Sequence, residues 1–403
     1  MKKKKKKKNN SLKNKKKNFD IKTVECFINV NNNFYISCGL NSPILYYDIY
    51  FKRNPYLKIE IPRNRINKFY EGVNNRQIIG ILKDKLYNIK FINDISREKI
   101  ENYFKSEIQI IEIEKYNIIL KVGRDKYIMC GEENVYFVED LFNPIISRHV
   151  NKLFNFMSKG GIRLEFDSDK NSNNFALFSN SIINNGKDII IFSSINSKQI
   201  DKSIEGYSFN LSLNSLSLMR IIKKKKEKDL LVCSCKKYKK TQKNGILLIN
   251  LNEEFKKEYF LNTGDFEVYC CCQLLIINNN NSYFEDNIDL VYQNKIDKVY
   301  TNYFLAGGFI PLKSKGVIKL YKIKYNSTPK PNFKIIFKQN INFKNNSNIC
   351  NYKSFGGPIS NIVQSKITGN IVVTCWDGNI YLFTPPNIPG LINKKNKEQN
   401  ILS

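Results

Sequence analysis

Residues Gly356–Phe383 read Gly-Gly-Pro-Ile-Ser-Asn-Ile-Val-Gln-Ser-Lys-Ile-Thr-Gly-Asn-Ile-Val-Val-Thr-Cys-Trp-Asp-Gly-Asn-Ile-Tyr-Leu-Phe. Three apolar runs in this stretch are separated by two turn signals, Thr368-Gly369 and Asp377-Gly378. Asp-Gly suits a two-residue hairpin turn, because both residues accept the positive φ that such a turn requires. The stretch therefore predicts three β-strands, with Asp377 and Gly378 forming the structural turn between the second and the third.

The same pattern recurs along most of the chain. An apolar run ends in small residues, a polar turn follows, and a second run typical of β-structure comes next. Such a unit cannot bury both of its faces by itself, so repeated copies are expected to stack around a common axis. The chain holds seven paired runs: 34–39 with 44–47, 77–81 with 86–87, 118–123 with 127–129, 175–179 with 189–192, 230–234 with 246–249, 303–308 with 317–321, and 371–374 with 380–383.

Residues 356–383 resemble a WD40 repeat, the four-stranded blade of a β-propeller. The resemblance implies an all-β fold, a single β-propeller of seven blades, and a role in binding rather than catalysis. The sequence departs from the family at Gly356-Gly357, where a Gly-His pair usually opens the repeat, and at Phe383-Thr384, where Trp-Asp usually closes it. No family role therefore transfers to Trp376. The alternative is several smaller β domains, such as sandwiches.

The chain ends differ in composition from its body. Residues 1–18 are almost entirely lysine and asparagine, so they predict a disordered Lys-rich tail, because like charges repel and little apolar surface is available. Residues 19–390 are assigned to the propeller, with Asn- and Lys-rich loops as insertions. Residues 391–403 are expected to form a second disordered tail.

One helix is predicted within the β pattern, near residues 143–159. Asn143 suits an N-cap, Pro144 suits the first helical position, and Gly160 suits the stop. Apolar residues between them recur at intervals of three and four. Such a helix would pack on its own domain or serve as a ridge for a partner.

The chain is strongly basic, with 66 Lys and Arg against 36 Asp and Glu and a net charge of +30. Two interpretations stay open. The charge would attract a polyanion such as RNA, DNA or an acidic protein. Alternatively, AT-rich codons raise Lys, Asn and Ile together, and the abundance of Asn fits this interpretation because an uncharged residue has no reason to increase with a nucleic-acid site. The candidate polyanion-binding residues form two groups, namely Lys223, Lys224, Lys225 and Lys226, and Lys236, Lys237, Lys239, Lys240 and Lys243.

Residue types that carry chemistry are scarce. The ten cysteines form no Cys-x-x-Cys pair, and a catalytic triad would have to use His149, the one histidine. We therefore expect no catalytic residues, no metal, no cofactor and no small-molecule substrate, and hence no enzyme. Cysteines in apolar runs indicate buried thiols in a reducing compartment. The sequence has no run of 18 apolar residues, so we expect no transmembrane helix and no membrane partner.

These patterns lead to one hypothesis and one alternative. The leading hypothesis is a non-catalytic WD40-like scaffold that mediates protein–protein interaction within a larger complex, through partners whose identity the sequence does not give. The alternative is an RNA-associated propeller in ribosome assembly or RNA processing, which would bind phosphates through the Lys-rich loops. A nuclear or cytoplasmic location is expected, and the N-terminal lysine run, similar to an import signal, favours the nucleus.

Overall fold

The computed structural model describes the chain in a series of separate ranges. The predicted tails 1–18 and 391–403 lie outside these ranges. The limits of the predicted domain 19–390 lie outside them too, so the tails and the domain limits stay predictions. The described residues are 26–31, 34–38, 44–48, 57–59, 68–71, 77–82, 85–91, 106–112, 118–122, 126–139, 141, 150–164, 174–179, 188–205, 212–223, 226–236, 243–252, 256–278, 297–326, 332–340, 355–364, 369–377 and 380–383.

The described strands form seven antiparallel sheets, numbered 1 to 7 in chain order. Sheet 1 contains β1 (Cys26–Asn31), β2 (Phe34–Cys38), β3 (Ile44–Asp48) and β4 (Leu57–Ile59), and sheet 2 contains β5 (Lys68–Glu71), β6 (Gln77–Leu82), β7 (Lys85–Phe91) and β8 (Ser106–Glu112). Sheet 3 contains β9 (Ile118–Lys121), β10 (Lys126–Cys130), β11 (Asn134–Glu139) and β12 (Val150–Asn155), and sheet 4 contains β13 (Gly160–Arg163), β14 (Asn174–Ser179), β15 (Ile189–Ser194) and β16 (Lys202–Glu205). Sheet 5 contains β17 (Ser212–Lys223), β18 (Lys226–Lys236), β19 (Gly245–Asn250) and β20 (Lys256–Asn262). Sheet 6 contains β21 (Glu267–Asn278), β22 (Asp297–Ile310), β23 (Lys315–Asn326) and β24 (Asn332–Asn340). Sheet 7 contains β25 (Ile359–Gln364), β26 (Ile371–Cys375) and β27 (Ile380–Phe383).

The sheets are arranged radially around an axis. The first strand of each sheet contacts the first strand of the next, in the order β1, β5, β9, β13, β17, β21 and β25, and β25 contacts β1 again. This closed ring of inner strands is the arrangement of a β-propeller, and it confirms the expected all-β fold. The number of blades in the whole chain stays a prediction, since seven is the count of sheets among the described residues.

All seven paired runs predicted from the sequence are hydrogen-bonded antiparallel pairs. Six of them are the second and third strands of a sheet. The pair 118–123 with 127–129 is displaced by one strand, because it joins β9 to β10, the first and second strands of sheet 3. The cause is a second small-residue signal at Cys130-Gly131, which ends the true second strand.

The helix predicted near residues 143–159 is wrong in the part that the structure describes, where Val150–Asn155 forms β12. β12 has a bulge in its pairing with β11, which leaves Leu153 as an extra residue. Leu153 and its neighbour Phe154 are therefore both buried. Since a bulge interrupts the alternation of a strand, the apolar spacing here imitates that of a helix.

The core lies between consecutive sheets, so the strands in the middle of a sheet bury both faces. On β22, Phe304 packs in the core shared with sheet 5, whereas the next residue, Leu305, packs in the core shared with sheet 7. Successive strand residues point to opposite faces, and in a sandwich only one of those faces would be covered. The structure therefore excludes the alternative of separate sandwiches for these strands.

Small residues occur in β22 because its neighbours approach closely. A Cβ atom added at Gly308 would lie 1.8 Å from the carbonyl oxygen of Glu267 on β21. One added at Gly307 would lie 2.6 Å from the side chain of Ile359 in sheet 7. In this repeat, the small-residue signal is thus a consequence of close approach by the neighbouring strands.

Two buried glutamine side chains join the inner strands of sheets 5, 6 and 7. On β21, Gln273 accepts a hydrogen bond from the backbone N–H of Arg220 (3.0 Å) and donates to the carbonyl oxygens of Arg220 (2.6 Å) and Thr301 (2.8 Å). On β25, Gln364 makes the equivalent pair of bonds to the N–H and C=O of Leu275, at 2.8 and 3.0 Å. We call these two residues the amide clamps.

The described residues contain one short helical element, the 3₁₀ turn Pro311–Lys313 between β22 and β23. Ser314 ends this turn in the left-handed conformation, with φ of 46°. Within the described part of the chain, no helix has the length and apolar character needed to cross a membrane.

Candidate functional site

The ring has two faces, which are defined by the direction of the strands. Because neighbouring strands are antiparallel, the turns between second and third strands lie at the same end of a sheet as the start of the first strand. We call this end the upper face. The turns between first and second strands lie at the opposite end, the lower face. β18 runs from the lower face at Lys226 to the upper face at Lys236.

The two predicted lysine groups lie at opposite ends of sheet 5. Lys223 and Lys226 pair with each other where β17 turns into β18, at the lower face, and Lys236 and Lys243 flank the turn at the upper face. The two groups are about 33 Å apart, since ten steps of about 3.3 Å each separate Lys226 from Lys236 along β18. The other members, Lys224, Lys225, Lys237, Lys239 and Lys240, lie outside the described residues.

An ion pair braces the lower end of this hairpin. Arg220 on β17 binds Asp229 on β18 through two parallel hydrogen bonds, Nε to Oδ1 at 2.8 Å and NH2 to Oδ2 at 3.0 Å. The hydrogen bond to Asp229 is the main reason that the pKa of Arg220 is raised, and Glu227, at 3.3 Å, adds to it. Two-point pairing of this kind fixes geometry as well as adding energy.

At the upper face, sheets 5, 6 and 7 each contribute one residue to a contact cluster. The ring of Trp376, from the turn after β26, meets the ring of Tyr269 on β21 edge-on, with centroids 5.7 Å apart. The Nζ atom of Lys236, at the end of β18, lies 5.2 Å from the centroid of the same tyrosine ring. We call Trp376, Tyr269 and Lys236 the aromatic cluster. Its tryptophan is 43% exposed.

Hydrogen bonds hold the aromatic cluster in place. The backbone N–H of Trp376 donates to the carbonyl oxygen of Pro358 at 2.9 Å. The adjacent Asp377 accepts through Oδ2 from the N–H of Gly356 (2.9 Å) and from the hydroxyl of Tyr381 (2.7 Å). Asp377 thus lies in the turn, as the sequence indicated, whereas Gly378 lies outside the described residues. The turn that carries the tryptophan is tied at three points.

The tyrosine is also fixed by a hydrogen bond. The hydroxyl of Tyr269 donates to Oε2 of Glu267 at 2.9 Å. Burial, followed by this hydrogen bond and the charge of Glu267, raises the pKa of Tyr269 well above its usual range. The phenol therefore stays neutral at all physiological pH values and acts as a support for the tryptophan ring rather than as an acid.

Positive charge accumulates around the cluster. Burial lowers the pKa of Lys159, and although Asp188 opposes this shift, the nearby charge of Lys236 adds to it. Farther along the face, the turn after β22 carries exposed Lys313 and Lys315, and Leu312 between β22 and Lys313 is 83% exposed. The described part of the upper face therefore combines apolar side chains with lysines and with the carboxylates of Glu267 and Asp377.

The buried thiols among the described residues do not provide a nucleophile. Burial raises the pKa of Cys130 to about 12 and that of Cys272 to about 11, and those of Cys233 and Cys271 are raised further. A thiol must ionise to react, so these side chains are inert at neutral pH. Within the described ranges, no three His, Cys, Asp or Glu side chains come together as a metal site. His149 lies outside those ranges.

The aromatic cluster was not predicted from the sequence. Trp376 is the only tryptophan of the chain and stands in a polar turn, which is a local signal for exposure. Tyr269 carries no such signal, because its contact with Trp376 depends on the packing of sheet 6 beside sheet 7. Of the predicted lysines, the structure brings Lys236 to this cluster.

Two solved structures are similar to almost the whole chain. The WD40 β-propeller domain of Doa1 aligns with a TM-score of 0.51 and 10% identity, over 91% of this chain and 94% of that one. A chain of the mitotic checkpoint complex aligns with a TM-score of 0.52 and 7% identity, over 91% and 90%. At these identities the similarity shows the fold alone, which is that of a WD40 β-propeller. No family model matches the sequence, and no curated protein matches it.

Proposed function

We propose that this chain is a non-catalytic docking scaffold that holds a partner protein within a larger complex, and that the upper face makes the contact. The aromatic cluster is the observation that carries this proposal. It presents an exposed tryptophan on a turn that hydrogen bonds hold rigid. Tryptophan and tyrosine in such settings dominate the energy of protein–protein contacts.

The mechanism follows from the fold. Radial packing of the sheets fixes the described residues of the upper face relative to one another, so binding at the aromatic cluster requires little further ordering of the scaffold. Basic residues around an apolar centre add attraction at long range and select partners of negative charge. WD40 propellers usually work as binding platforms, and one of the two similar structures is that of a complex.

Affinity purification of the full chain, with and without nuclease, tests the proposal. We expect protein partners that are recovered equally in both arms at moderate salt. Loss of those partners after nuclease treatment would overturn the proposal and favour the alternative of an RNA-associated propeller, whose binding would fall steeply with salt. Recovery of no protein in either arm would also contradict it.

We further propose a nuclear location, supported by the eleven lysines among residues 1–17. A fluorescent fusion of the full chain is expected in the nucleus, and a fusion that lacks residues 2–17 in the cytoplasm. An unchanged distribution after this deletion would contradict the role given to the lysine run.

A further inference from the structure

We infer that the aromatic cluster binds an acidic linear segment of a partner protein, with an apolar side chain of the segment on Trp376 and its carboxylates directed toward Lys236. This inference rests on the docking function proposed above and names the chemistry of the partner. It is carried by three features of the described residues: the exposed ring, the one-sided distribution of lysines, and the carboxylates beside the rings.

The first feature is the ring that would receive the apolar side chain. Trp376 leaves 43% of its surface open while its other side contacts Tyr269. The bonds to Pro358, Gly356 and Tyr381 hold the turn, so the ring needs no rearrangement to be used. A large aromatic surface that is already ordered gains affinity at small entropic cost.

The second feature is the position of the basic groups. Lys236 lies on the side of the cluster that faces sheet 5, over the ring of Tyr269. The charge of Lys236 also contributes to the lowered pKa of Lys159 on sheet 4, although burial is the main cause and Asp188 already opposes it. Lys243 lies at the far end of the same turn of sheet 5. A carboxylate placed beside the ammonium group of Lys236 would be attracted to it.

The third feature distinguishes a peptide from a nucleic acid. Glu267 and Asp377 are bonded to tyrosine hydroxyls immediately beside the two rings. Their charge repels any anion placed over them, so the acids of the segment must lie on the Lys236 side. A phosphate backbone carries a charge at every nucleotide and could not avoid these carboxylates, whereas a peptide can place its acidic residues on one side of its apolar residue. The edge-on geometry of Trp376 and Tyr269 offers no pair of parallel ring faces, and Lys236 covers a face of the tyrosine. Successive bases of a single strand stack on open ring faces, so the observations favour an acidic peptide.

The experiment uses the full chain and defined probes. The main probe is a fluorescein-labelled peptide with one phenylalanine and a run of aspartate and glutamate on one side of it, used in both sequence orders so that the run can face Lys236. Two matched peptides replace either the phenylalanine by alanine or every acid by its amide, and a labelled oligouridylate tests nucleic acid. Anisotropy gives the affinity, and the emission of Trp376, the only tryptophan, reports contact at the site.

We expect the acidic phenylalanine peptide to bind and to change the emission of Trp376, and each matched peptide to bind at least about tenfold more weakly. Trp376→Ala should weaken binding about 30-fold. Lys236→Ala should weaken it about threefold, and Lys236→Glu more than that, because the reversed charge repels the peptide. Lys152→Ala, which removes an exposed lysine of sheet 3, is the matched control and should change nothing.

Three results would overturn the inference: no binding of the acidic peptide, binding that is insensitive to both Trp376→Ala and Lys236→Glu, or oligouridylate binding that is equally tight and equally sensitive to them. Melting curves that show each variant fully folded at the assay temperature exclude misfolding as the cause of lost binding, and Trp376→Phe provides a milder test of the same ring. If Trp376→Ala retains every partner in the affinity purification, the docking function stands and this site is not its location.

Discussion

The lower and upper ends of sheets 5 to 7 both carry lysines, but they differ in what surrounds those lysines. At the lower end, buried amide clamps and the Arg220–Asp229 pair connect strands to one another. At the upper end, an exposed tryptophan rests on a tyrosine and a lysine. The lower end therefore contributes to stability and the upper end is suited to contact. Similar lysine runs in a sequence acquire different roles from the residues packed beside them.

The largest effect should come from breaking an amide clamp at the lower end. Gln273 is 9% exposed and satisfies three backbone groups. Gln273→Ala leaves these groups without a partner, so we expect the free energy of unfolding to fall by about 2–4 kcal/mol. The urea midpoint, followed by far-UV circular dichroism at constant m value, measures the change.

Gln199→Ala is the matched control for that variant. Gln199 lies on an exposed turn of sheet 4, so its truncation should stay within about 0.5 kcal/mol. If the two variants were equally stable, the clamps would not hold the inner strands together and the division between the two ends would fail. Peptide binding at the aromatic cluster should survive in both variants once they are folded.

The fold could be predicted because its signals are local. Apolar runs and turn residues identified the paired strands, and β22 shows why such runs hardly alternate, since Phe304 and Leu305 face different neighbours and are both buried. The same simple reading failed at β12, where the bulge at Leu153 imitates helical spacing. Local patterns predict elements well until the ladder departs from regular pairing.

The candidate site could not be predicted in the same way, because its contacts join residues that are distant in the chain. Trp376 meets Tyr269 only through the packing of neighbouring sheets. The amide clamps at the lower end were missed for the same reason, since Gln364 reaches Leu275 across 89 positions and Gln273 reaches Arg220 across 53. The lysine runs were visible in the sequence, but their separation onto two faces depends on the length of β18.

A smaller effect at the lower end is expected from Asp229→Asn. The substitution removes the charge from a two-point ion pair whose partners are mostly buried, so stability should fall by about 1–2 kcal/mol. Glu139→Gln breaks the exposed pair with Lys126, at 3.4 Å, and should lower stability by less than about 0.5 kcal/mol. Equal midpoints for these two variants would show that the lower-end pair adds no more than a surface contact.

At the upper end, Trp376→Ala should affect stability less than either lower-end change. The ring is partly exposed and its main loss is the edge-on contact with Tyr269, so we expect a decrease of about 1 kcal/mol or less. Thermal unfolding followed by circular dichroism measures it. A decrease as large as that of Gln273→Ala would mean that the tryptophan supports the fold, and its exposure would no longer indicate a docking surface.

The smallest effect should come from the lysines of the lower end. The double variant Lys223→Ala and Lys226→Ala should stay within about 0.5 kcal/mol of the parent in stability and bind the acidic peptide with unchanged affinity, because the substituted residues lie about 33 Å from Lys236 along β18. The double variant Lys236→Ala and Lys243→Ala removes the same charge from the upper face and should weaken that binding. Retention on a polyanion column separates the effect of net charge from the effect of position. If net charge alone mattered, both double variants would lower the retention equally. If the lower-end variant lost peptide affinity as well, attraction by overall charge would account for the binding, and position on the ring would not matter.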